Sequence, residues 1–169
     1  MKYNKIAFIG MMGSGKSTIS KIIANHLNFK HIEMDEIFEI QEKISINTFF
    51  KKYGEENFRE IETEILKENI KKTNTILSTG GGIILKKENR ELLFKNDVLT
   101  IYLEANFETI HNRIKQDKTR PLLQVDNSKK EIKDILKTRK DFYKLANITI
   151  NTDNKTIEEI TEEILKWIK

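Results

Sequence analysis

Residues 10–18, "GMMGSGKST", constrain this chain more tightly than any other stretch. They fit G-x-x-x-x-G-K-[ST] at Gly10, Gly15, Lys16 and Ser17. Ahead of them Ile6 to Ile9 reads as a short buried strand. Behind them "STISKIIANHL" repeats Ile19, Ile22, Ile23 and Leu27 at helical spacing. A strand that turns through glycines into a helix points a row of backbone N–H groups, and the positive end of the helix dipole, at one place. That place suits a chain of phosphates. In such a loop Lys16 reaches the β- and γ-phosphates and Ser17 ligates the magnesium ion that bridges them. The stretch predicts a site for a nucleoside triphosphate with Mg2+.

The rest of the chain repeats the same strand-then-helix rhythm. Short β-branched runs stand at 5–10 ("KIAFIG"), 31–34 ("HIEM"), 75–79 ("TILST"), 98–103 ("VLTIYL") and 147–151 ("NITIN"). Between them Phe58, Ile61, Ile65, Leu66 and Ile70 share one helical face. Near the C-terminus Ile157, Ile160, Ile164, Leu165 and Ile168 do the same, with Thr156 and Glu159 spaced as a capping box. Strands apolar on both faces, alternating with helices, predict a mostly parallel sheet covered on both sides, a three-layer α/β fold. There is no internal repeat or linker rich in Pro or Gly, and 169 residues with 38% hydrophobic content suit a single core. Residues 1–169 are therefore expected to form one P-loop NTPase domain.

Composition narrows the partners. The chain has no cysteine, so disulfides and thiolate metal sites are excluded, and His26, His31 and His111 show no ligand spacing. Its apolar runs are too short for a signal segment or a membrane span, so a soluble, cytoplasmic monomer is expected. The net charge of +4 is spread along the chain, which reads as a solvated surface and not as a nucleic-acid face. Within the basic set only five of 30 residues are arginine, at 59, 90, 113, 120 and 139. Each is a candidate for planar, two-pronged recognition that an ammonium cannot supply, set against the commoner reading of a surface residue.

A triphosphate site is compatible with a kinase, a GTPase switch or an ATPase acting on RNA or a partner. None of the seven Asp residues has a Gly three positions later, and no N/T-K-x-D motif occurs, which argues against the switch. A small kinase must hold an acceptor hydroxyl in line with the γ-phosphate and exclude water. Glu33 and Asp35 in "HIEMDEIFE" stand at the C-terminal end of a strand, where doubly wound sheets bind ligands. A carboxylate there can take the acceptor's proton, although Asp35 as a helix cap is an equal alternative. The polar stretch 116–130, with Arg120 ahead of the only proline, Pro121, reads as a lid between two helical patterns. In "ILSTGGGII" (76–84) a strand ends on Ser78 and three glycines, which leaves bare backbone facing the acceptor.

Taken in order, "GMMGSGKST", the D-x-D-like "EMD", "GEENFREIE", "STGGG", "TRPLL" and "TRKDFY" resemble shikimate kinases over nearly the whole chain. The resemblance implies a five-stranded parallel sheet of the nucleoside monophosphate kinase kind, with a lid, and transfer of the γ-phosphoryl group of ATP to the 3-hydroxyl of shikimate. It also implies that Gly13, Ser14, Gly15, Lys16, Ser17 and Thr18 hold the ATP phosphates, with Ser17 on the metal. Asp35 corresponds to the carboxylate on the ring hydroxyls and proposed base. Arg59 and Arg139 correspond to the two guanidinium groups on the shikimate carboxylate, closed by the backbone of Gly80, Gly81 and Gly82. Arg113 corresponds to the residue against adenine, and Arg120 to the lid residue on the phosphates. In this assignment Ser78 helps order the metal's water, and Glu33, where the family usually has Asp, supplies charge beside it.

Arg59 also has Glu55 and Glu62 at helical pair spacing, so a surface ion pair is its alternative reading. For the chain as a whole the alternatives are a gluconate-type or monophosphate kinase of the same architecture and a nucleotide-dependent RNA-binding or regulatory protein. Arg139→Ala tests the acceptor assignment. It is expected to raise the apparent shikimate constant about tenfold or more, as one lost charged contact implies, with ATP binding nearly unaltered; steady-state kinetics with each substrate varied in turn decide it.

Overall fold

Alternation along the strands decides the architecture. The structure is a computed structural model, and it describes residues 3–95, 97–115 and 128–168. In β1 (Lys5–Ile9) Ile6 and Phe8 join one apolar cluster, while Ala7 and Ile9 join another on the opposite face. β2 (Lys30–Glu33), β3 (Thr75–Ser78), β4 (Leu99–Glu104) and β5 (Ile148–Asn151) complete a sheet in the order β2-β3-β1-β4-β5, with every pairing parallel. β1 and β3 are buried almost throughout, as strands covered on both faces must be. β5 lies at an edge and alternates buried Ile148 and Ile150 with exposed Thr149 and Asn151.

One face is covered by α1 (Lys16–Leu27) and α7 (Ile157–Ile168), through Ile19, Ile23, Ile160 and Ile164. The capping box forms as the spacing predicts: Thr156 N donates to Glu159 at 2.7 Å, and Glu159 N donates to Thr156 Oγ1 at 3.2 Å. The other face is covered by α2 (Met34–Glu42), α3 (Ile46–Asn69) and α4 (Lys87–Leu93), with Phe38, Phe49, Phe58 and Leu66 in its core. Phe38 meets Phe49 edge-on and Phe58 at a tilt, with ring centroids 5.0 and 4.7 Å apart. α5 (Phe107–Lys115) and α6 (Ser128–Tyr143) pack under the turn after β1, where Met11, Met12, Ile110, Ile114 and Ile132 form a third cluster.

Several boundaries differ from the sequence expectation. The second strand ends at Glu33, and Met34 already opens α2, because the chain turns into a helix as soon as its strand reaches the sheet end. α3 is broken at Gly54, whose φ of 81° lies in the left-handed region that glycine tolerates. Within the expected lid, Ser128 to Lys130 are the first turn of α6. Residues 116–127, with Arg120 and Pro121, lie outside the described residues. No helix of the described residues is long and apolar enough to cross a membrane.

Candidate active site

Parallel strands put their C-terminal ends on one rim, and the chemistry gathers there. β1 runs into the glycine-bearing turn, and Gly13 and Gly15 adopt φ of 75° and 98°, which lets the chain double back into the N-terminus of α1. Lys16 is buried and donates through Nζ to Met11 O at 3.0 Å, so its ammonium is held back along the loop. Ser17 and Thr18 are exposed on the first turn of α1, and Ser14 Oγ is buried without a hydrogen bond. The loop thus presents the hydroxyl of Ser17 and the leading N–H groups of α1 to one space.

Beside that loop Glu33 ends β2, paired in register with Ser78 at the end of β3. Burial pushes the Glu33 carboxyl up, opposed by the Ser17 and Ser78 hydroxyls. Glu33 Oε2 and Ser78 Oγ are both buried, and although the Ser78 hydroxyl lies near the carboxylate, neither atom has a partner of good hydrogen-bond geometry. Asp35, half-buried, sits inside the first turn of α2 and lines the neighbouring cavity. The capping alternative is not what the structure shows: Glu33 occupies the N-cap position of α2, and its side chain caps nothing.

That cavity, about 90 Å3, is lined by Met12, Asp35, Phe58, Arg59, Glu62, Gly80 to Gly82 and Arg139, among others. The sequence-expected acceptor residues are therefore brought together from α2, α3, the loop after β3, and α6. Arg59 donates through Nε and Nη2 to Glu55 Oε1 at 3.2 and 3.0 Å, and through Nη1 to Glu62 Oε2 at 2.7 Å. Both partners are visible in the helical spacing, but the pair with Glu62 is buried and not the surface pair that spacing suggests. That carboxylate is 3% exposed and Arg59 9% exposed, because α3 lies against the sheet there. Burial pushes the Glu62 carboxyl up, with Arg59 opposing, while the two carboxylates outweigh burial at Arg59 and hold its guanidinium charged.

The three glycines are required by contact, not by backbone angle. A Cβ on Gly82 would run into the Arg59 guanidinium, and one on Gly80 would stand 2.5 Å from Glu62 Oε1. Gly81 is less constrained than its two neighbours: its Cβ would lie 3.3 Å from Met12 N and 3.7 Å from Arg139 Nη1. The glycine run is thus a seat for the ion pair and part of the cavity wall. Tyr143, at the end of α6, fixes that wall by donating its hydroxyl to Gly81 O. Burial pushes its phenol up to about 12, so it remains a donor. Tyr143 stands in "TRKDFY", yet nothing local in the sequence marks it as a partner of residue 81.

Arg113 makes contacts that the sequence does not reveal. Nη1 donates to Gly13 O at 3.2 Å and to Thr152 Oγ1 at 3.2 Å, and Nη2 donates to Thr152 O at 3.1 Å. It ties the phosphate loop to the turn after β5. Beside it a hollow of about 220 Å3 is lined by Ser14, Gly15, Thr18, Lys155 and Ile157. Among the described residues no cluster of three or more acidic or histidine side chains could hold a metal alone.

Gly82→Ala tests the seat. The added methyl must push Arg59 off two carboxylates, so affinity for a carboxylate-bearing acceptor is expected to fall about tenfold or more. Gly81→Ala should do less, and ATP affinity should hold in both; equilibrium titration with acceptor and nucleotide separately checks this.

Residues 12–169 match the model of the shikimate kinase family. A shikimate kinase of Enterococcus faecalis is 46% identical over 169 residues, covering 97% of this chain and 98% of the relative. The structure of a shikimate kinase from Acinetobacter baumannii in complex with shikimate superposes with a TM-score of 0.93 at 34% identity, covering 98% of this chain and 93% of that one. A gluconokinase from Sinorhizobium meliloti, at 16% identity and a TM-score of 0.65, shares the fold alone. The match spans the phosphate loop's second half, the glycine floor and both pocket arginines, and the chain belongs to the shikimate kinase family.

Proposed function

We propose that the chain transfers the γ-phosphoryl group of ATP to the 3-hydroxyl of shikimate, giving shikimate 3-phosphate and ADP. The observation that carries this reading is the pocket in which Arg59, Arg139 and Asp35 meet over Gly80 to Gly82, next to the phosphate loop. Two planar guanidinium groups grip a carboxylate with directional, charge-assisted bonds of about 1.5 to 3 kcal/mol each. Asp35, on the pocket wall nearest Glu33, takes hydrogen bonds from the ring hydroxyls. As the 3-hydroxyl oxygen attacks the γ-phosphorus, the bond from phosphorus to the bridging oxygen of ADP breaks, and Asp35 is placed to accept the hydroxyl proton or to orient it. Arg120, outside the described residues, is assigned to the phosphates from its motif.

On the nucleotide side, Gly13 to Thr18 cradle the phosphates, and Lys16 leaves Met11 O to meet the β- and γ-oxygens. The hollow beside Arg113 receives the nucleoside end, with Lys155 and Ile157 as the contacts that the sequence alone left unassigned. The residues fit magnesium: Ser17 is an exposed hydroxyl ligand, and Glu33 Oε2 and Ser78 Oγ are buried acceptors in want of hydrogen-bond donors, as the waters on a divalent cation are. Asp35 adds charge to the same wall. When bound, magnesium neutralises charge on the β- and γ-phosphates.

One assay tests the reading. ADP release is followed with shikimate, gluconate, nucleoside monophosphates, RNA and no acceptor in parallel. Stimulation by shikimate alone, with one phosphorylated product per ADP, is expected; a shikimate rate equal to the rate without acceptor overturns it.

A further inference from the structure

Each nitrogen of the Arg59 guanidinium already faces a carboxylate. Nε and Nη2 face Glu55, and Nη1 faces Glu62. A guanidinium has two edges on which a carboxylate can sit in two-pronged fashion, Nε with Nη2 and Nη1 with Nη2, and Nη2 belongs to both. Glu55 holds the first edge and Glu62 holds Nη1 of the second, so a carboxylate that takes a two-pronged grip on Arg59 meets one resident or the other.

The two resident carboxylates are not equally able to yield. The Glu62 side chain is 4% exposed, with its other oxygen against Gly80, whereas the Glu55 side chain is 53% exposed. Releasing Glu62 would strand a buried charge, and releasing Glu55 returns a carboxylate to water. The break at Gly54 lowers the cost further. Its left-handed φ of 81° ends the first half of α3, so Glu55 opens the second half, where a carboxylate is favoured by the helix dipole whether or not it touches Arg59. The exchange also conserves charge: one negative group leaves the fork and one arrives.

We infer that Glu55 is a resident stand-in for the substrate carboxylate, holding the Arg59 fork until shikimate displaces it, so that acceptor affinity is set by an exchange between two carboxylates. The inference rests on the proposed function and adds a specificity-determining residue to it. Glu55 keeps Arg59 paired and aligned before substrate arrives, and it weakens binding of every ligand that must take its place. A ligand of the same ring without a carboxylate does not meet this competition.

Glu55→Gln separates the two roles, because a positioning residue and a competitor shift affinity in opposite directions. The dissociation constants of shikimate and of its analogue with a hydroxymethyl group in place of the carboxylate are measured for the parent and the variant. Removing the competitor is expected to tighten shikimate binding roughly twofold to fivefold, the range for a partly exposed ion pair, and to leave the analogue unaltered. Rising salt should weaken the parent's preference for shikimate less than the variant's, since it screens the competing pair as well. Shikimate binding that is unchanged or weaker in the variant overturns the exchange, as does an equal shift for both ligands. Failure of the unaltered protein to bind or turn over shikimate overturns the proposed function instead.

Discussion

The Arg59 guanidinium lies between the backbone of Gly82 and the carboxylates of Glu55 and Glu62, and the acceptor pocket depends on that arrangement. A buried guanidinium on an otherwise apolar helix face is costly unless its donors are met. Here each nitrogen faces a carboxylate of the same helix, three or four residues away, so α3 carries its own counter-charges. The sheet's contribution is space. β3 ends at Ser78, and the loop beyond it brings three residues without side chains against the helix. Any side chain at Gly80 or Gly82 would take the volume that the ion pair occupies.

Around that pair the other parts are held by contacts between residues far apart in the chain. Tyr143 pins Gly81 from the end of α6, and Arg139, one turn earlier, lies beside the same residue. Thr79 donates through Oγ1 to Phe8 O at 2.8 Å, fastening the start of the glycine run to β1, the strand that feeds the phosphate loop. Arg113 fastens the other side of that loop to Thr152. Phosphate loop and acceptor floor are thus anchored to the same central strand, and their separation is set by sheet geometry. In-line transfer between two bound substrates requires that kind of fixed spacing.

Much of this was legible in the sequence because the signals are local. The phosphate loop declares itself through Gly15, Lys16 and Ser17 between an apolar run and an apolar-faced helix. The five strands show as β-branched runs, and Thr156 with Glu159 writes its own helix start. The rarity of arginine marked Arg59 and Arg139 before any contact was known. What stayed hidden depends on residues far apart in the chain. Helical spacing pairs Arg59 with Glu62 but does not say that α3 buries both. The glycines at 80–82 suggest room for a ligand, whereas the sharpest exclusion is by Arg59 itself, more than twenty residues upstream. Tyr143 and Arg113 each have a strong local alternative, a core aromatic and a surface base, and only the fold selects Gly81 O and the loop carbonyls as their partners.

The central claim is that the acceptor is recognised through its carboxylate by a pre-set planar fork at Arg59. Arg59→Lys tests it most directly, because lysine keeps the charge and the counter-ions but cannot offer two parallel N–H bonds. With shikimate and ATP titrated separately, the account predicts a shikimate dissociation constant raised about tenfold, the loss of one charged contact, with ATP affinity preserved. A folded Arg59→Lys protein that binds shikimate as tightly as the parent would contradict it.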